Sequence, residues 1–269
     1  MPFHHTQDVD LFYTDAGEGP VAYLMHGWAC DSHDWSWLIP HLRDRGFRVL
    51  AVDHRGHGHS SVPEAGYTPQ QMASDAANLL RSVGTGPALI VGHSMGTIVA
   101  SALAIEHPDL VKALILIDPV YNRPDDSLDP VISLVKAGDP RQSVAHIFRS
   151  NFYTAGVPAW IPTWHERRVL GTAEHVVRES FLGLFGSTSA LGRTSVAGEY
   201  LRSRTCPTLA VYAAEESTWI ERQLPAGSLD RIAVIDGGHW LHQERPDEFH
   251  SIVDDWLETL TGAGAGAGL

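Results

Sequence analysis

Ala88-Leu89-Ile90-Val91-Gly92-His93-Ser94-Met95-Gly96 is an apolar run that breaks into a G-x-S-x-G turn, and Thr97 to Ile105 follow with small and aliphatic residues. Four apolar residues ending at a glycine read as a buried strand, and the stretch after the turn suits a helix packed on a sheet. A strand-to-helix turn this sharp strains its central residue and leaves no room for side chains beside it, which explains the two glycines. Such a turn holds a serine hydroxyl out at the end of a strand, where it can act as a nucleophile. Without the strand and helix signals the same five residues would read only as a tight turn.

Outward from this turn, strand-like runs alternate with helix-like stretches, which argues for an α/β fold with mostly parallel strands joined by helical crossovers. Val9 to Thr14 and Val21 to Met25 flank Gly17-Glu18-Gly19-Pro20, a turn signal that predicts an antiparallel start. Phe47 to Val52, Ala113 to Ile117, Thr208 to Tyr212 and Ile232 to Ile235 are further strand candidates. Helical spacing joins Trp35, Leu38 and Leu42, then Met72, Ala76, Leu79, Leu80 and Val83 after Pro69, and finally Phe249, Ile252, Val253 and Trp256. Residues 118–207 carry no strand pattern and read as an insertion. The expected organisation is a core built from 1–119 and 206–261, a helical cap over 120–205, and a disordered Gly/Ala tail at 262–269.

Composition narrows the function classes. The 269 residues are 43% apolar and 19% charged, as in a globular protein with a substantial core. A net charge of −13 opposes binding to nucleic acid or to anionic lipid, so neither partner is expected. Cys30 and Cys206 are far apart and form no C-x-x-C pair, so neither a disulfide framework nor a zinc site is suggested. Met1-Pro2-Phe3-His4-His5 lacks the features of a secretory signal, and a cytoplasmic location is the expectation. The sixteen histidines are scattered, and His4-His5 reads as a solvated end rather than a ligand pair.

A serine hydroxyl is a weak nucleophile at neutral pH, so Ser94 requires a general base and a carboxylate to orient that base. Ile235-Asp236-Gly237-Gly238-His239-Trp240 supplies the base, because an apolar strand and a glycine pair deliver His239 just ahead of the terminal helix. An oxyanion site needs two N–H donors. One is expected from Met95, directly after the nucleophile, and the other from Trp28, because Gly27 in His26-Gly27-Trp28 lets the backbone approach a ligand. The insertion is dense in aromatic residues. Most are read as its own core, while Phe152, Trp160 and Trp164, with the Trp28 ring, are expected to line an apolar pocket facing Ser94.

Four stretches together resemble the α/β-hydrolase family, in its branch with a helical cap inserted after the sixth strand. They are His26-Gly27-Trp28, Asp53 to Ser60, Gly92 to Gly96, and Gly237 to Trp240 with Glu244-Arg245-Pro246. The resemblance implies a structural role for the Asp53 to Ser60 turn, and the serine chemistry itself requires no metal or organic cofactor. It also implies a triad acid, for which two residues compete. Glu216 stands where relatives carry an aspartate after the seventh strand, with Glu215 beside it. Asp118 stands at the end of the sixth strand, where a minority of relatives place theirs. The short segment between Glu216 and His239 favours Asp118. Ser94 in place of aspartate disfavours dehalogenase and epoxide-hydrolase chemistry. The leading expectation is a serine esterase or lactonase acting on a medium-sized apolar or aromatic small molecule. A C–C bond hydrolase or cofactor-free dioxygenase, and a non-catalytic ligand receptor, are the alternatives.

Overall fold

The computed structural model describes residues 2–84 and 86–265. In chain order the elements are β1 (Phe3–His5), β2 (Asp10–Ala16), β3 (Val21–Met25), α1 (Leu38–Asp44), β4 (Arg48–Val52), α2 (Pro69–Val83), β5 (Ala88–His93), α3 (Met95–Glu106) and β6 (Val111–Ile117). The insertion follows, with α4 (Asp129–Lys136), α5 (Arg141–Asn151), α6 (Trp160–Gly171), α7 (Glu174–Phe185) and then α8 (Thr194–Leu201). The chain closes with β7 (Thr208–Tyr212), β8 (Arg231–Val234), α9 (Leu241–Glu244) and α10 (Pro246–Ala265).

One eight-stranded sheet runs β1-β2-β4-β3-β5-β6-β7-β8, antiparallel across β1, β2 and β4 and parallel from β4 to β8. The fold is therefore the α/β-hydrolase arrangement, with the helical insertion after β6. Strands β3, β5 and β7 are buried at every position, which explains their unbroken apolar runs: helices cover both faces of an interior parallel sheet. Each fully buried Val, Leu or Ile there contributes about 1.5–3 kcal/mol. From β3 the chain crosses to β4 on one side, then returns to β5 on the other. That reversal opens a crevice at the carboxyl ends of β3 and β5, the usual ligand site of open α/β sheets.

Two details at the ends of the chain go beyond the sequence reading. His4-His5, read as a solvated end, belong to Phe3–His5, a largely exposed edge strand paired with Asp10–Phe12. In the tail expected to be disordered from 262, α10 continues to Ala265. Residues 266–269 lie outside the described residues.

The Asp53 to Ser60 turn is structural. Asp53 Oδ1 accepts from Ser32 N at 2.7 Å and Oδ2 from His59 N at 2.8 Å, while Ser60 Oγ donates to Asp53 O at 2.6 Å. A Cβ on Gly58 would lie 2.1 Å from Asp53 Oδ2. Arg55 and Asp75 form a buried two-pronged pair at 2.6 and 2.7 Å. Asp31 caps the short helical turn Ser32–Trp35 by accepting from His33 N at 3.0 Å. No described helix is long and apolar enough to cross a membrane.

Candidate active site

Ser94 joins β5 to α3 at φ 52° and ψ −115°, a conformation costing on the order of 1–3 kcal/mol for a residue with a Cβ. The cost is met by close packing that only glycine permits. A Cβ on Gly92 would meet Gly96 O at 2.3 Å, and one on Gly96 would meet Met25 O at 2.2 Å. Ser94 N extends the sheet ladder to Ile117 O at 3.0 Å, so the serine and the residue after β6 become lateral neighbours. That residue is Asp118, also at positive φ (42°), whose N–H donates to Val211 O at 2.7 Å.

His239 closes the group. Its Nε2 lies 2.8 Å from Ser94 Oγ and its Nδ1 lies 2.5 Å from Asp118 Oδ2. The second Asp118 oxygen accepts from Ala213 N at 3.1 Å. A carboxylate can only accept, so Nδ1 carries the proton and Nε2 is left to accept from the serine hydroxyl. Glu216, the rival acid, is exposed on the short turn Glu215–Thr218, and among the described residues it makes no hydrogen bond to His239. Glu215 is exposed as well and pairs with Arg222. The structure therefore brings Asp118 and neither glutamate to His239.

The histidine is fixed through its backbone. Its N–H donates to Phe152 O at 2.8 Å, and its carbonyl accepts from His93 Nε2 at 2.9 Å. His93 is fully buried, and burial with the nearby His239 and His242 holds its pKa well below the usual imidazole range. It thus stays neutral and adds no positive charge beside His239. Gly238 leaves room for this arrangement, since a Cβ there would lie 2.6 Å from Phe152 O.

A Cβ built on Gly27 would lie 3.2 Å from the Ser94 Cβ, so the loop carrying Trp28 runs directly against Ser94. Met95 is the first residue of α3, where a helix leaves its N–H groups without internal partners. Among the described residues, neither the Trp28 nor the Met95 N–H meets an acceptor. Two unpaired donors beside Ser94 suit an oxyanion.

Ser94 opens into a cavity of about 460 Å³ beneath the insertion. Trp28 and Phe152 line it, together with Phe148, Phe181, Leu184 and Phe185. The Trp28 ring is pinned by its Nε1, which donates to Val177 O at 2.9 Å. Trp160 and Trp164, expected on this wall, are elsewhere. Trp160 is 39% exposed and stacks on Trp37 at 5.1 Å, while Trp164 packs against His33 at 4.4 Å. The inward face of α6 is Ile161, His165 and Val169, and the two tryptophans fall on the neighbouring stripe. The overlooked wall residues had a signal: Phe148 with Phe152, and Phe181 with Phe185, are aromatic pairs one helical turn apart.

Residues 20–246 match the alpha/beta hydrolase fold family. A 2-(acetamidomethylene)succinate hydrolase of Mesorhizobium japonicum is 37% identical over 130 residues, 48% of this chain and 46% of that protein. Epoxide hydrolase A of Mycobacterium tuberculosis is 27% identical, with 96% of each chain covered. The chain spans about half the length of the first curated relatives it matches. Among solved structures, a thermophilic esterase from Thermogutta terrifontis has a TM-score of 0.78 at 26% identity, covering 93% of this chain and 94% of that one. Sheet order, helical insertion and the match over residues 20–246 agree: this chain belongs to the alpha/beta hydrolase fold family.

Proposed function

We propose that the protein is a serine hydrolase that cleaves an ester or lactone of a medium-sized apolar or aromatic small molecule through an acyl-enzyme. The single observation that carries this reading is the continuous chain from Asp118 Oδ2 to His239 Nδ1 at 2.5 Å and from His239 Nε2 to Ser94 Oγ at 2.8 Å. His239 takes the serine proton as Oγ adds to the carbonyl carbon, and Asp118 stabilises the imidazolium that forms. The Met95 and Trp28 amides receive the oxyanion; one such donor is worth about 2.7–4 kcal/mol in comparable sites. The carbonyl then re-forms, the leaving oxygen departs with the proton from His239, and a water activated by the same imidazole releases the acid. Protein groups supply every step.

Relatives that include an esterase and an epoxide hydrolase leave two chemistries to separate, and the nucleophile supports the first. Serine adding to an epoxide carbon would form an ether, which this base and oxyanion site have no means to hydrolyse. A carboxylate nucleophile forms an ester there, which they could hydrolyse. With Ser94 at this position, turnover requires an acyl carbonyl. A mass-resolved panel of aryl and alkyl esters, lactones and epoxides tests this, run on the wild-type protein and Ser94→Ala. The expected result is ester or lactone turnover that falls by about 10³-fold or more in Ser94→Ala. Epoxide hydrolysis, or ester turnover undiminished in that variant, contradicts the reading.

A further inference from the structure

The cavity that holds Ser94 has an apolar wall with one full charge on it. Arg123 is its single lysine or arginine, and among the described residues no aspartate or glutamate lines it. Of the two histidines on the wall, His93 is held well below the usual imidazole range by burial, and His239 is already engaged by Asp118 and Ser94. Arg123 is exposed and lies between the end of β6 and the start of α4. Among the described residues its guanidinium has no carboxylate within 4.0 Å and donates no hydrogen bond. Most other arginines are paired with a carboxylate, as Arg55 is with Asp75 and Arg204 with Glu221, while Arg167, Arg193 and Arg231, like Arg123, form no ion pair among the described residues. Arg123 differs from those three in lining the cavity that reaches Ser94.

Its backbone, by contrast, is held firmly. The Arg123 carbonyl accepts from Thr194 Oγ1, and the preceding Asn122 donates through Nδ2 to Ser217 O at 2.9 Å and accepts at its carbonyl from Trp219 Nε1 at 3.1 Å. The guanidinium is therefore presented from a fixed point on the cavity rim. Asn151, the last residue of α5, lines the same cavity and can add a neutral amide donor.

We propose that Arg123 recognises a carboxylate on the substrate, so that the preferred esters or lactones carry a free acid group remote from the scissile carbonyl. This rests on the serine-hydrolase reading and narrows its substrate class. A planar guanidinium matches a carboxylate with two parallel N–H···O contacts. The charge count favours a monoanion over a phosphate dianion. One cation serves the site, and Asp125 and Asp126 follow it in sequence, Asp125 already accepting from Ser195 Oγ at 2.5 Å. The apolar wall takes the linker between acid and ester.

The test compares aryl half-esters of dicarboxylic acids, over a series of linker lengths, with their neutral methyl diesters. The readout is the ratio of kcat/KM for half-ester to that for diester, in wild type, Arg123→Gln and Arg123→Lys. At the best linker length the wild-type ratio is expected to exceed that of Arg123→Gln by about fivefold or more, mainly through KM of the half-ester, with partial recovery in Arg123→Lys. The advantage should shrink as salt is raised, as a rim charge requires. Equal ratios in wild type and Arg123→Gln at every linker length, with the diesters turned over, overturn the carboxylate proposal and leave the serine-hydrolase reading standing. If wild type hydrolyses neither series nor any ester or lactone of the wider panel, the serine-hydrolase reading falls and the proposal falls with it.

Discussion

Ser94, His239 and Asp118 come from three separate strand ends, and their agreement depends on two strained residues. Ser94 at φ 52° turns its hydroxyl toward the cavity, and Asp118 at φ 42° turns its carboxylate along the sheet edge toward the histidine loop. Asp118→Asn keeps the shape but removes the acceptor that fixes the His239 tautomer, so kcat should fall by about 10³–10⁴-fold. Glu216→Gln should change kcat by less than about threefold, since Glu216 is exposed and away from His239. Parallel kinetics with circular dichroism as a folding control decide the matter, and the reverse ranking contradicts the geometry. Ser94 and His239 were legible in the sequence because glycine-flanked turns announce themselves locally. The acid was legible only as a pair of candidates. Its choice depends on a single positive-φ residue after β6, and Asp-Pro at a strand end is equally the sequence of an ordinary turn.

The interior strands were the easiest elements to read, because burial on both faces leaves apolar runs that no surface element carries. Strand β1 was missed for the converse reason: three residues with two histidines at a sheet edge have no apolar pattern. The helical character of the insertion was plain, but not which face of each helix meets the nucleophile. Periodicity gives a helix its apolar stripe and says nothing of what lies opposite. On α6 the stripe of Ile161, His165 and Val169 faces inward, and Trp160 and Trp164, one position earlier on each turn, fall against Trp37 and His33. The inserted helices are tied to the core by buried polar contacts with equally little sequence signal. Arg168 of α6 pairs with fully buried Asp34, whose other oxygen accepts from Trp240 Nε1 at 3.3 Å. Burial alone would raise the Asp34 carboxyl, but Arg168 and His165 outweigh it and hold it well below the usual carboxylate range. Tyr153 OH meets His165 Nδ1 at 2.8 Å, and the His165 ring stacks on Trp240 at 4.0 Å, so the residue after the base is clasped from the insertion.

For the whole molecule, the buried imidazoles set how stability depends on pH. His26 uses both ring nitrogens in its neutral form, Nδ1 donating to Gly27 O at 2.7 Å and Nε2 accepting from His54 N at 3.0 Å. Burial, with His57 nearby, lowers its pKa from 6.5 to about 3, and burial lowers that of His242 likewise to about 3. Between these values the unfolded chain binds protons that the fold refuses. The stability these rings contribute is therefore fully present above pH 6.5 and is lost progressively as the pH falls toward 3. Thermal midpoints at pH 7.5, 6.5 and 5.5 should fall below 6.5, and less steeply in His242→Leu; a flat wild-type profile contradicts this. Covalent catalysis by Ser94 is probed by intact-protein and peptide mass spectrometry of the enzyme quenched while turning over a slow aryl ester. An adduct of the acyl group's mass is expected on the peptide containing Ser94, absent in Ser94→Ala. Steady turnover with no adduct there, or with the acyl group on another residue, would contradict it.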